Sequence, residues 1–124
     1  MNNPEVTMHD SLPPTGLDVH RKAVKAAGIA IGIAMRVPAP LKPIADQVIR
    51  SASSVAANLA EGYGRVGRDR LHHLRIAYAS AREVDVHLRI LCLSHLSHRG
   101  KATTALQLFD DVRAMTWRLL HPDR

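Results

Sequence analysis

Four arginines, Arg68, Arg75, Arg82 and Arg89, recur every seven residues. On a helix, seven residues make nearly two turns. All four therefore fall on one side, drifting by roughly 20° per step. At about 1.5 Å of rise per residue the row is about 30 Å long, and the apolar pattern around it places it beside the buried seam. Arg65 and Arg70 carry the charge around one end. Such a row can follow a phosphate backbone, each contact adding salt-dependent affinity. It can equally close interfaces between helices or subunits, with Glu83, Asp110 and Asp111 as acids, because positions flanking a bundle seam commonly hold ion pairs. Both readings stand at this level. Aromatic content is only 3%, and Tyr63 is the one aromatic among the basic residues. Sequence-specific readout of a single strand is therefore not expected.

Other polar groups offer less chemistry. Asn58, Glu61 and Glu83 lie near the predicted seam, and an acid pair can serve general acid–base catalysis. Glu61, at a helix end, can instead bond to backbone or to Arg65, and a structural network of Asn58, Glu61 and a partner on the next helix is the expected arrangement. Asp85 falls on the predicted seam and needs a partner there, since an unpaired buried charge is costly. Arg82, Arg89 or a neighbouring subunit can supply it. Eight histidines raise the question of a metal. Cys92, His95 and His98 are three apart and could share a helix face, but the helix is expected to end before His98 and no fourth ligand is at hand. Cys92 reads better as a small core residue. Adjacent His72 and His73 point roughly 100° apart on a helix and cannot chelate together. GYGRVG lies between helices and lacks the strand that precedes a phosphate loop. No nucleophile has a base at a recognisable spacing. The expectation is no catalytic site, no cofactor and no metal.

These residues must be positioned by helices. Residues 48–65 read VIRSASSVAANLAEGYGR. Leu41, Ala45, Val48, Ala52, Val55 and Leu59, separated by four or three residues, lay one apolar stripe along a helix. Its alanines allow close approach of a neighbour. Gly62 suits the left-handed position after a helix end, and Gly64 and Gly67 continue the break. The spacing predicts helices over residues 17–36, 42–61, 68–96 and 101–120, with three prolines in residues 37–43, the last of them in the first turn of the second helix. In the first helix Leu17, Val24, Ala27, Ile31 and Ala34 form the predicted inward stripe. Ile29, Ile31 and Ile33 also alternate as in a strand, but no second strand exists to pair with them. In the third helix the predicted stripe is Leu71, Leu74, Tyr78, Ala81, Leu88 and Cys92. In the fourth it is Leu108, Val112, Met115 and Leu119, widened by Leu106, Phe109 and Trp117. The short turn at residues 97–100 makes the third and fourth helices antiparallel neighbours.

At 124 residues the chain is one domain with one core. With so few aromatics, that core comes from Ala, Leu, Ile and Val and suits close-packed helices. Residues 1–16 are polar, with three prolines, and read as a flexible arm without a signal peptide. The longest apolar stretch is too short to span a bilayer, and one cysteine excludes an internal disulfide framework. A cytoplasmic protein is expected. The net charge of +6 favours acidic partners, nucleic acid foremost. Isoleucines on several faces of the first helix exceed what one small core can bury. Together with Gly28 and Gly32, four residues apart, they point to a subunit interface.

Ile49, Arg50, Ser54, Asn58, Ala60, Glu61, Gly62, Gly64 and Arg65 together carry a resemblance. The segment resembles the signature of a bacterial four-helix-bundle family encoded in intervening sequences of large-subunit ribosomal RNA genes, to which the accessory variability proteins of diversity-generating retroelements are related. The likeness continues through RIAYASAREVDVHL, with Glu83 and Asp85 as its internal acids. Many members have a proline where this chain has Ala56, so a kink there is weaker. The resemblance implies an all-α, antiparallel up-down four-helix bundle, a ring-shaped homo-oligomer, a pentamer, and a structural role for Ser54, Asn58, Glu61, Gly62, Gly64 and Glu83. It further implies a non-catalytic accessory factor working with RNA or DNA, or with a nucleic-acid enzyme such as a reverse transcriptase. Arg65, Arg68, Arg70, Arg75, Arg82 and Arg89 are the candidate nucleic-acid contacts. The alternative is a purely structural or protein-interaction oligomer.

Overall fold

The computed structural model describes residues 16–94 and 99–123. The helices are α1 Gly16–Ala34, α2 Lys42–Tyr63, α3 Gly67–Ser94 and α4 Arg99–Leu120, with a 3-10 turn at Ala39–Leu41 before α2. No strand occurs among the described residues. Each helix packs on its neighbours in the chain and α1 closes against α4, which makes an antiparallel up-down four-helix bundle. The predicted arm lies outside the described residues except for Gly16, which opens α1. The alternating isoleucines are helical. α1 stops two residues short of expectation because Met35 and Arg36 tighten into a turn, the Arg36 N–H reaching the Ile33 carbonyl at 3.0 Å, before Pro38 forbids continuation.

α2 follows the sequence closely. Ala45, Val48, Ala52, Val55 and Leu59 are buried and Leu41 is half-buried. The other stripes are rotated from expectation. α1 buries Val19, Ala23, Ala26, Ala30 and Ile33 together with the expected Ala27 and Ala34, while Leu17 and Val24 are exposed and Ile31 is only half-buried. The helix carries two apolar stripes, one small and one large. The alanine stripe faces inward because small side chains let helix backbones approach closely and gain dispersion contacts. α3 likewise buries Leu74, Ala77, Ala81, Val84, Leu88 and Leu91, and leaves Tyr78, Asp85 and Cys92 on its flank. α4 buries Ala102, Ala105, Phe109, Val112 and Thr116, with Leu108, Met115 and Leu119 half-buried and Trp117 exposed. The buried Thr116 hydroxyl donates to the Val112 carbonyl at 2.7 Å, which meets the requirement that buried polar groups be bonded.

The glycine cluster also differs from expectation. Gly62 does not end α2 in a left-handed conformation. It lies inside the last turn and is buried, where an added Cβ would touch Leu74 Cδ2 at 3.4 Å and His73 Cβ at 3.5 Å. Its service is close approach of α3. The left-handed glycine is Gly67, with φ of 62°, at the start of α3, where the chain reverses.

Candidate nucleic-acid interface

α3 presents two polar flanks, one to α2 and one to α4. Toward α2 the polar groups close on one another. The Ser54 and Ser80 hydroxyls are 2.9 Å apart. Asn58 Nδ2 donates to the Ser54 carbonyl at 2.9 Å and to Ser54 Oγ at 3.2 Å. That fixes Asn58 Oδ1 as the acceptor for His73 Nδ1–H, at 3.0 Å. The partner expected for Asn58 on the next helix is thus His73, supported by Ser80, and the small Gly62 lets His73 sit close. Glu61 is not part of this chain. It is exposed and holds Arg65 at 3.2 Å, one of the two roles its helix-end position suggested. Gly64 simply caps α2. Glu83 is exposed, on α3, about 24 Å of helix above the level of the glycine turn. The two glutamates therefore form no acid pair.

The arginine row is exposed throughout, and Arg70 beside it is half-buried. Because the core face of α3 is rotated from expectation, Arg68 lies nearly opposite the core and the row drifts toward the α4 flank as it rises. Charge compensation differs along it. Arg89 Nε is 2.9 Å from Asp85 Oδ2, and that hydrogen bond and charge hold the Arg89 proton more tightly than usual. Asp85 is thus half-buried on the flank, paired by one of the arginines expected for it. Arg65 lies between Glu61, at 3.2 Å, and Asp69, at 3.5 Å. Arg68, Arg70, Arg75 and Arg82 make no ion pair among the described residues. The α4 acids proposed as their partners are engaged elsewhere, Asp110 with Arg113 at 2.6 Å and Asp111 with Lys22 of α1 at 3.2 Å.

Between α3 and α4 an open groove of about 840 Å³ is lined by Tyr78, Arg82, Asp85, Arg89, Asp110 and Arg113, among others. Arg113 holds its proton more tightly than an ordinary arginine through its bond to Asp110 and then the Tyr78 phenol. Above this groove the outward face of α3 turns apolar. Val86, Ile90 and Leu93 are 53%, 40% and 83% exposed and lie four and three residues apart, on one side of the helix.

Two residues escaped the sequence reading. The spacing of His73 from His72 predicts only that the two do not chelate together; the His73 ring serves Asn58, an interaction no local spacing announces. Trp117 was assigned to the apolar face of α4, yet it is exposed and its indole stacks on His121, with centroids 4.2 Å apart and planes 26° apart. Its signal was the amphipathic ring at a helix end. The Cys92 thiol is pushed up by burial, against the pull of Arg89 and Arg99, which disfavours the thiolate a metal needs. His95 and His98 lie outside the described residues. No metal-ligating cluster occurs among the described ones.

The family model described as 23S rRNA-intervening sequence protein matches residues 16–118, from the first residue of α1 almost to the end of α4. The chain belongs to the 23S rRNA-intervening sequence protein family. That span holds the polar chain between α2 and α3, the whole arginine row and Trp117. The fold is also seen in a protein of unknown function from the S23 ribosomal protein family of Bacteroides thetaiotaomicron. The two superpose with a TM-score of 0.75 at 19% identity, over 86% of this chain and 97% of the other. No curated protein matches. No helix among the described residues is long and apolar enough to cross a membrane.

Proposed function

We propose that this intervening-sequence family protein is a non-catalytic, self-associating helical bundle that holds RNA or DNA through the arginines near the α2–α3 turn. The observation that supports this reading is the uneven compensation of charge. Arg68, Arg70, Arg75 and Arg82 lack a carboxylate partner among the described residues, whereas Lys22, Arg89 and Arg113 each have one and Arg65 has two. Uncompensated cations have no ion pair to break before meeting a phosphate, and their arrival releases counterions condensed on the nucleic acid. A purely structural role for the row is less favoured, because the α4 acids Asp110 and Asp111 make their ion pairs with Arg113 and Lys22 instead. Self-association is supported by the outward stripe of α1, where Leu17, Val24, Ile31 and Met35 run beside Gly28. A Cβ at Gly28 would meet nothing within 4 Å, so a second helix can approach there. A ring, as the pentamer of the family resemblance, would repeat the basic patch and raise avidity for one long polymer. A reverse transcriptase as the enzyme served, in the cytoplasm, rests on the α2 signature alone.

The test is a polarisation titration of the full chain with labelled RNA and DNA across salt. Binding is expected to fall steeply as salt rises, with a slope shallower by about one for each of Arg68→Ala and Arg75→Ala. If those substitutions disperse the oligomer and no nucleic acid binds at any salt, the second reading, an interaction module whose arginines close its own interfaces, takes its place.

A further inference from the structure

We infer that Trp117 is a stacking platform for an unpaired nucleobase, so that the nucleic acid held by this bundle is single-stranded where it crosses the end of α4. The inference rests on the nucleic-acid reading above and specifies its ligand. Trp117 is the only tryptophan in a chain with four aromatic residues of the Phe, Trp and Tyr type in all. Such a residue contributes most when buried, yet this one is 37% exposed. It is also already half of a stack. His121 lies over the indole at 4.2 Å, and its Nδ1–H donates to the Trp117 carbonyl at 2.9 Å, which ties the imidazole down in place. A base that stacks on the exposed part of the indole would extend that pair.

The register of α3 against α4 decides what lies beside it. Arg113, one turn before Trp117, lines the same groove as Tyr78. In an antiparallel pair the next turn of α4 meets the preceding turn of α3, which places Trp117 at the level of Leu74 and Arg75. There the arginine row carries no carboxylate partner, and Arg118 adds a further charge. An aromatic face next to uncompensated guanidinium groups is the combination that binds single strands without regard to sequence, the bases stacking while the phosphates meet the cations. A duplex offers phosphates but keeps its bases inside, so it engages the arginines alone.

Because the chain has one tryptophan, its own fluorescence reports this site. The full-length protein is titrated with oligothymidylate of about 15 nucleotides and with a duplex of equal length, following tryptophan emission and, in parallel, polarisation of the labelled strand. Quenching by the single strand and none by the duplex is expected. Trp117→Leu is expected to weaken the single strand about tenfold or more and to leave the duplex unchanged, while Trp117→Phe retains most of the affinity and controls for folding. Single-strand binding without quenching, equal quenching by duplex, or wild-type affinity in Trp117→Leu overturns the inference while the nucleic-acid reading survives. If neither probe binds at low salt, that reading fails and the platform fails with it.

Discussion

The outward face of α3 is two surfaces on one helix. From Arg68 to Arg82 it is basic, exposed and uncompensated. From Val86 to Leu93 it is apolar, and its one arginine is neutralised by Asp85 at 2.9 Å. Both halves share backbone, helix and core contacts, so the difference lies in the outward residues alone. An i,i+4 pair such as Asp85–Arg89 contributes only a few tenths of a kcal/mol to the helix. What it does achieve is to remove net charge from the stretch where apolar side chains stand in solvent. A surface of three large apolar residues next to a cancelled charge suits a protein neighbour, whereas bare arginines suit a polyanion. On the proposed function, the phosphate-binding and interface-closing readings of the arginine row need not compete, since each would use a different half of the helix.

The strongest way to break this division is to charge the apolar half. Val86→Glu with Leu93→Glu is expected to lower the particle's mass in light-scattering measurements, while Arg68→Ala with Arg75→Ala leaves it unchanged. Equal loss of assembly in both variants would show that the row itself closes the interface. The inner flank gives the next largest effect. Asn58→Ala strands His73 Nδ1 and is expected to lower stability by about 1–3 kcal/mol, read by urea unfolding, with the salt slope of nucleic-acid binding unaltered. A changed slope would mean that the polar chain between α2 and α3 reaches the binding surface. Within the basic half, Arg68→Ala with Arg75→Ala is expected to cost several-fold in affinity and about two in salt slope. Arg89→Ala, whose charge is already compensated, is expected to cost less than either single change.

How far the sequence reveals this division depends on side-chain size. In α2 the inward alanines Ala45 and Ala52 alternate with Val48, Val55 and Leu59, so large residues mark the buried face and the structure follows the periodicity. In α1 and α3 the inward positions are often alanines, Ala23, Ala26 and Ala30 in one and Ala77 and Ala81 in the other. Hydrophobic periodicity weights large residues, and here several of those stand outside. Leu17, Val24 and Tyr78 were read as core for that reason. The same inversion hid Trp117, which looked like the widening of a buried face. Local pairs were more accessible, because i,i+4 contacts follow from helix geometry alone, and Glu61–Arg65 and Asp85–Arg89 were both among the options the spacing offered. Asn58 with His73 needs the relative rotation of two helices, which a single sequence does not contain.

The smallest effect isolates charge from everything else. Asp85→Asn keeps the shape of the side chain and releases Arg89 from its carboxylate. If the two halves differ because of compensation, the freed guanidinium should extend the basic surface by one position. Affinity for nucleic acid at low salt is then expected to rise a few-fold and the salt slope to steepen by about one. Stability should change by no more than about 0.5 kcal/mol, the scale of an exposed helical ion pair. The apolar half, now carrying a bare cation beside Val86 and Ile90, should assemble slightly less well, seen as a higher dissociation constant in sedimentation. A gain in binding with weakened assembly means that one carboxylate sets the boundary between the two surfaces. An unchanged salt slope would place that boundary below Arg89 for a geometric reason instead, the row having by then turned into the α4 groove, where a polymer does not follow.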